Sequence, residues 1–262
     1  MKYGFLGCGN MGSAVVKALC KSTRDIAVTD RSGKAAAFAA EQGISYLSGQ
    51  EITEQCHVLF LCVKPHMMRN ALQPFCATLA TRKPMLVTMA AGLNIDTIES
   101  MVGCRLPVIR MMPNTPTAVG KGMIQYCRNE LVTDEMLRCW LNDMQPCGTL
   151  DELQEHLIDA ASALSGSGPA YLYVLLEALA DGAVACGIPR DKALQYAAET
   201  MAGVAEMYLQ TRTHPGALKD TVCSPGGSTI AGIRVLEERG FRGAAMDCVI
   251  AAYHRNQELG KQ

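Results

Sequence analysis

The stretch Lys2-Tyr3-Gly4-Phe5-Leu6-Gly7-Cys8-Gly9-Asn10-Met11-Gly12 decides the fold. Residues 2–7 are a short apolar run that reads as a buried strand. It enters a glycine turn, and Met11, Val15, Ala18 and Leu19 then recur at helical spacing over residues 11–20. In that order of strand, turn and helix, each glycine of the Gly7-x-Gly9-x-x-Gly12 pattern has a task. Gly7 allows the tight turn, Gly9 lets the backbone approach a pyrophosphate, and Gly12 lets the helix lie close on the strand. The unpartnered N–H groups and the positive dipole end of the helix complete an anion site. Leu6, Gly7, Cys8, Gly9, Asn10, Met11 and Gly12 are therefore expected to line a dinucleotide.

Beyond this unit the first half keeps alternating. Residues 25–29, 57–63 and 85–90 read as continuous apolar strands of the parallel, doubly covered kind, with helices expected at 33–42, 66–79 and 94–101. Residues 107–112 and 123–127 extend the sheet. The expected fold class is α/β, a Rossmann-like doubly wound sheet followed by an all-helical domain, with ligands at the carboxyl ends of the strands. The division falls between a dinucleotide-binding domain at 1–149 and a helical dimerisation and substrate domain at 150–262. From Leu150 onward the pattern predicts only helices, at 151–164, 169–186, 190–209, 215–222, 228–239 and 242–259.

Composition narrows the function. The 262 residues are 49% hydrophobic and carry 24 Lys and Arg against 25 Asp and Glu, so no basic field exists to hold a nucleic acid, and none is expected as a partner. Twelve cysteines lie in apolar segments without CxxC spacing, as reduced cytosolic thiols do, which predicts a cytoplasmic protein. Neither Cys nor the five His show metal-site spacing, so no metal is expected. The longest apolar stretch, 168–188, contains Glu177 and Asp181, which argues against a membrane span.

Three further segments fit the cofactor end. Asp30-Arg31-Ser32 closes the second strand about where an acid reads the adenine ribose. The acid favours NAD, whereas Arg31 and Ser32 suit the 2'-phosphate of NADP. The balance leans to NADP, with NAD possible. Val63-Lys64-Pro65 offers a rigid turn backbone after the next strand, and Ala90-Ala91-Gly92 is small enough to admit a nicotinamide ring.

A second anion site lies far along the chain. In residues 222–235, Val-Cys-Ser-Pro-Gly-Gly-Ser-Thr-Ile-Ala-Gly-Ile-Arg-Val, glycines and hydroxyls stand just before a helix. Together with Met112-Pro113-Asn114-Thr115-Pro116, the Ser165-to-Tyr171 segment and His214-Pro215-Gly216-Ala217-Leu218-Lys219-Asp220, this run closely resembles the pyrroline-5-carboxylate reductase family. The resemblance implies reduction of 1-pyrroline-5-carboxylate to L-proline by NAD(P)H, the last step of proline biosynthesis. It implies a substrate site at Ser224, Gly226, Gly227, Ser228 and Thr229, with the Thr229 hydroxyl on the ring nitrogen. Some members carry an asparagine where this chain has Thr221, and position 228 varies among small residues, so only the Ser228 backbone carries over.

Two rival readings compete with this one. A β-hydroxyacid dehydrogenase shares this layout but uses a lysine on the helix after a glycine-rich turn, and residues 168–187 contain none. A non-catalytic dinucleotide-binding sensor or assembly module would leave the second anion site without a purpose. The helix at 169–186 is apolar on nearly every face, which a domain of this size cannot cover alone. That predicts a homodimer or a ring of dimers, broken by a charge at Leu176.

Overall fold

The computed structural model describes residues 1–259 and divides into two compact units: Met1–Ser167 with the chain from Ala252, and Gly168–Ala251. The first holds an eight-stranded sheet. Its strands are β1 (Tyr3–Leu6), β2 (Ile26–Thr29), β3 (Ser45–Tyr46), β4 (Val58–Leu61), β5 (Met85–Thr88), β6 (Val108–Met112), β7 (Gly122–Arg128) and β8 (Gly148–Glu152), in the order β3-β2-β1-β4-β5-β6-β7-β8. All neighbours are parallel except β6 with β7. The helices of this unit are α1 (Asn10–Leu19), α2 (Lys34–Gln42), α3 (Gly49–Gln55), α4 (Met68–Leu72), α5 (Cys76–Arg82), α6 (Ile95–Val102), α7 (Asp134–Met144) and α8 (Ile158–Ser165). They cover the sheet with two apolar layers, one built around Val15, Leu19, Phe60 and Trp140, the other around Ile52, Leu59, Leu79 and Ile98. Phe5 stacks on Phe60 across β1 and β4 at 4.5 Å between ring centroids. The doubly wound expectation holds.

Three details differ from the sequence reading. The single helix expected over 66–79 is broken, because Pro74 sits in a 3-10 turn at Gln73–Phe75 between α4 and α5 and supplies no N–H. Helices α3 and α7 were not anticipated, although each opens on a side-chain cap, the Ser48–Glu51 capping box and Thr133. Residues after Leu150 do not begin as helix: β8 pairs with β7, and the helix expected at 151–164 is confined to α8. β8 is an edge strand with Thr149, Asp151 and Glu152 exposed, so it lacks the continuous apolar run that marked the inner strands.

A buried cation ties α8 to the sheet. Arg110, only 2% exposed on β6, donates through Nη2 to Asp159 Oδ1 at 2.5 Å, with Nη1 3.7 Å from Glu155 Oε1. The Asp159 carbonyl in turn accepts from Asn256 Nδ2 at 3.2 Å, which anchors the end of the chain.

The second unit contains α9 (Gly168–Ala185), α10 (Arg190–Thr211), α11 (Pro215–Thr221), α12 (Ser228–Glu238) and most of α13 (Phe241–Leu259). No strand occurs in it, as expected. Small side chains let α9 lie on α10, where Ala180, Ala193 and Ala197 are buried, and Tyr171 donates its hydroxyl to the Cys248 carbonyl. The larger apolar side chains face outward: Leu172 is 54%, Tyr173 65% and Val174 69% exposed.

Candidate active site

The expected cofactor residues gather along one edge of the sheet. Leu6, Thr29, Leu61 and Thr88 are register partners across β2, β1, β4 and β5. The segments Gly7 to Gly12, Asp30 to Ser32, Val63 to Pro65 and Ala90 to Gly92 therefore all begin within two residues of one row, at the carboxyl ends of adjacent strands. Gly7, at φ +95°, makes the reversal that side-chain-bearing residues rarely adopt. Gly12 is buried against β4, where a Cβ would stand 3.2 Å from Cys62 Cβ. Helix α1 opens on Gly9 with no side-chain hydrogen bond to its first turn, and a Cβ at Gly9 would meet nothing within 4 Å. An open cradle of backbone donors of this kind fits a pyrophosphate. Burial, with Asp30 nearby, pushes the Cys8 thiol up to about 11, and burial likewise pushes Cys62 up. Both thiols are thus neutral at pH 7 and place no negative charge beside the phosphate site.

Asp30 proves to be occupied by its own loop. Its carboxylate accepts from Ser32 Oγ at 2.5 Å and from the N–H groups of Lys34 and Ala35 at 3.2 Å each, so it caps the first turn of α2. Burial pushes its pKa up, but the Ser32 hydroxyl and these backbone donors together pull it below the ordinary value. Arg31 and Lys34 beside it are exposed. The two other segments singled out in the sequence, Met112 to Pro116 and Ser165 onward, are stitched together by Asn114. Its side chain is buried, donating to the Ser165 carbonyl at 3.0 Å and accepting from Met123 N at 3.1 Å.

The substrate segment is built within the second unit. Ser224-Pro225-Gly226-Gly227 forms a β-turn closed by Gly227 N donating to the Ser224 carbonyl at 3.0 Å. Proline at the second position and Gly226 at φ +67° in the third are what a type II turn demands. A Cβ at Gly227 would lie 2.3 Å from Ser224 Oγ, so the hydroxyl folds tightly over a residue that must be glycine. Gly227 is also the N-cap of α12, and no side chain returns to the first turn, which leaves a second open cradle of N–H groups. Ser228 and Thr229 are exposed in that turn. Thr221 is different: its hydroxyl donates back to the Leu218 carbonyl at 2.6 Å and is engaged in its own helix. His214, quoted above only as part of the segment that carries the resemblance, has a role the sequence did not show: its Nδ1 accepts from Gly216 N at 3.1 Å at the start of α11. Pro215 at the first helical position marks the cap, but histidine is not among the usual capping residues.

A doubly wound sheet with a glycine turn at its carboxyl edge, joined to a helical unit, is the build of a dinucleotide-dependent oxidoreductase. Residues 2–92 match the family described as NADP oxidoreductase, coenzyme F420-dependent, and residues 155–259 match the pyrroline-5-carboxylate reductase dimerisation family. The pyrroline-5-carboxylate reductase of Escherichia coli (strain K12) is 39% identical over 266 residues, spanning 99% of this chain and 98% of that protein. The solved structure of the Plasmodium falciparum pyrroline carboxylate reductase with NADP bound is 31% identical, with a TM-score of 0.90, covering 99% of this chain and 98% of that one. The Streptococcus pyogenes 1-pyrroline-5-carboxylate reductase gives 29% identity and a TM-score of 0.91 over 98% of both chains. The chain belongs to the pyrroline-5-carboxylate reductase family.

Proposed function

We propose that this enzyme reduces 1-pyrroline-5-carboxylate to L-proline with NADPH, the last step of proline biosynthesis. The observation that carries the reading, beyond family membership, is the uncapped start of α12. Free backbone donors of Ser228 and Thr229 at a helix N-terminus suit one small carboxylate, and the turn that Gly227 N closes onto the Ser224 carbonyl, with Gly226 at its third position, fixes their direction. Thr229 hydrogen-bonds the ring nitrogen. A threonine hydroxyl is too weak an acid to protonate an imine alone, so it orients the nitrogen and relays a proton that comes from solvent. The nitrogen gains that proton as the C=N carbon is reduced. When bound at the Gly7 turn, the nicotinamide cofactor supplies the hydride.

Cofactor binding falls to Leu6, Gly7, Cys8, Gly9, Asn10, Met11 and Gly12, with the backbone of Val63, Lys64 and Pro65 and the small residues Ala90, Ala91 and Gly92 beside them. The preference for NADP is supported by Asp30: its oxygens are taken by the start of α2, which leaves exposed Arg31 to meet a 2'-phosphate. Cofactor work belongs to the sheet-bearing unit and substrate binding and assembly to the helical one, which begins at Gly168 rather than at 150 because β8 and α8 pack with the sheet. The dimerisation-family match and the outward apolar face of α9 support a homo-oligomer built on a dimer. All twelve cysteines are free thiols, the state a reducing compartment maintains, which supports a cytoplasmic setting. No described helix is long and apolar enough to cross a membrane.

Initial rates with pyrroline-5-carboxylate, comparing NADPH with NADH, test the reading; absence of cofactor oxidation with either would end it. In the same assay Arg31→Ala is expected to raise KM for NADPH roughly ten-fold, the worth of one charge-assisted hydrogen bond, and to leave NADH nearly unaffected. An equal rise for both cofactors would show that Arg31 does not read the phosphate.

A further inference from the structure

We propose that His214 is a positioning residue for the substrate: its imidazole caps α11 and, through that short helix, sets the anion-binding turn at residues 224–227. The inference rests on the function proposed above. Pro215 has no N–H, so the Gly216 amide is the first free donor of α11, and it donates to His214 Nδ1 at 3.1 Å. A backbone amide can only donate, so Nδ1 holds the lone pair and the ring proton sits on Nε2. Glycine at 216 belongs to the same device. A Cβ there would stand 3.1 Å from His214 Nδ1 and 3.2 Å from Cε1, close enough to shift the ring by a few tenths of an ångström and loosen its bond to the helix start.

From this cap the chain runs to the substrate turn with little slack. Thr221 Oγ1 donates to the Leu218 carbonyl, Val222 N to Lys219 O at 3.2 Å, and Cys223 N to Asp220 O at 3.2 Å. The next residue is Ser224, whose carbonyl closes the turn onto Gly227. A helix of seven residues is marginal on its own hydrogen bonds, so the group that fixes its first turn governs where its last turn points. His214 is itself exposed, and replacing it empties no core.

The experiment is steady-state kinetics on the full-length protein as wild type, His214→Ala, His214→Asn and Gly216→Ala, with melting temperature measured on each. Loss of a helix cap through His214→Ala is expected to raise KM for pyrroline-5-carboxylate about five-fold. KM for NADPH should stay at the wild-type value. Gly216→Ala should raise the substrate KM in the same direction by less with His214 still present, and His214→Asn should recover the wild-type KM, since asparagine is a favoured cap. An unchanged substrate KM in His214→Ala, a matching rise in KM for NADPH, or failure of His214→Asn to recover it would overturn the positioning role. A wild type without turnover would instead overturn the function on which the role rests.

Discussion

Thr229→Ala is expected to lower kcat by about two to three orders of magnitude, the cost of removing one hydrogen-bond donor aimed at a reacting group. Thr229 stands exposed in the first turn of α12, within the N–H cradle proposed for the carboxylate, so its hydroxyl lies beside the anchored end of the substrate. KM for NADPH should hardly move, because the Gly7 turn belongs to the other compact unit. Thr229→Ser keeps a hydroxyl and is expected to retain most of the rate. Stopped-flow measurement of NADPH oxidation under single-turnover conditions checks both variants. A near-normal rate in Thr229→Ala would remove the hydroxyl from the mechanism and leave hydride alignment as the main source of catalysis.

Val174→Glu is expected to dissociate the assembly and abolish most activity. Leu176, the position singled out from sequence, is half-buried within its own chain, so a charge there would confuse folding with association. Val174 is 69% exposed beside Tyr173 and Leu172, and a carboxylate at that point is harmless to an isolated chain. Buried unpaired in an interface, it costs on the order of 3 to 5 kcal/mol, and a two-fold contact carries it twice. Sedimentation equilibrium with parallel activity assays would show a monomer of low activity that still melts cooperatively. A fully active wild-type monomer at nanomolar concentration would overturn the dimer reading altogether.

What was legible in the sequence followed the strength of local signals. β1, the glycine turn and α1 announce themselves because a buried parallel strand is apolar throughout and the turn after it can only be made by glycine. The longer helices of the second unit, α9, α10, α12 and α13, were equally plain, each opening at a Gly or Pro. β8 was missed because an edge strand buries too little to look apolar. The break at Pro74 was overlooked inside an otherwise helical run. At the site, the two glycine-opened helix starts were readable as anion cradles. Asp30 was not: its competing roles, ribose reader or cap, depend on where Ser32 and the amides of Lys34 and Ala35 fall in space. The capping role of His214 escaped for a similar reason, since only the folded chain shows its ring turned back over Gly216.

The bond from Asn256 to the Asp159 carbonyl joins residues 97 positions apart, across a stretch that includes the whole second unit. The sheet-bearing unit therefore includes a piece that is synthesised only after the whole helical unit. The helical unit between is complete before then. Closing so long a loop is slow relative to forming local helices. Loss of the last turns of α13 would therefore reach back to Asp159 on α8.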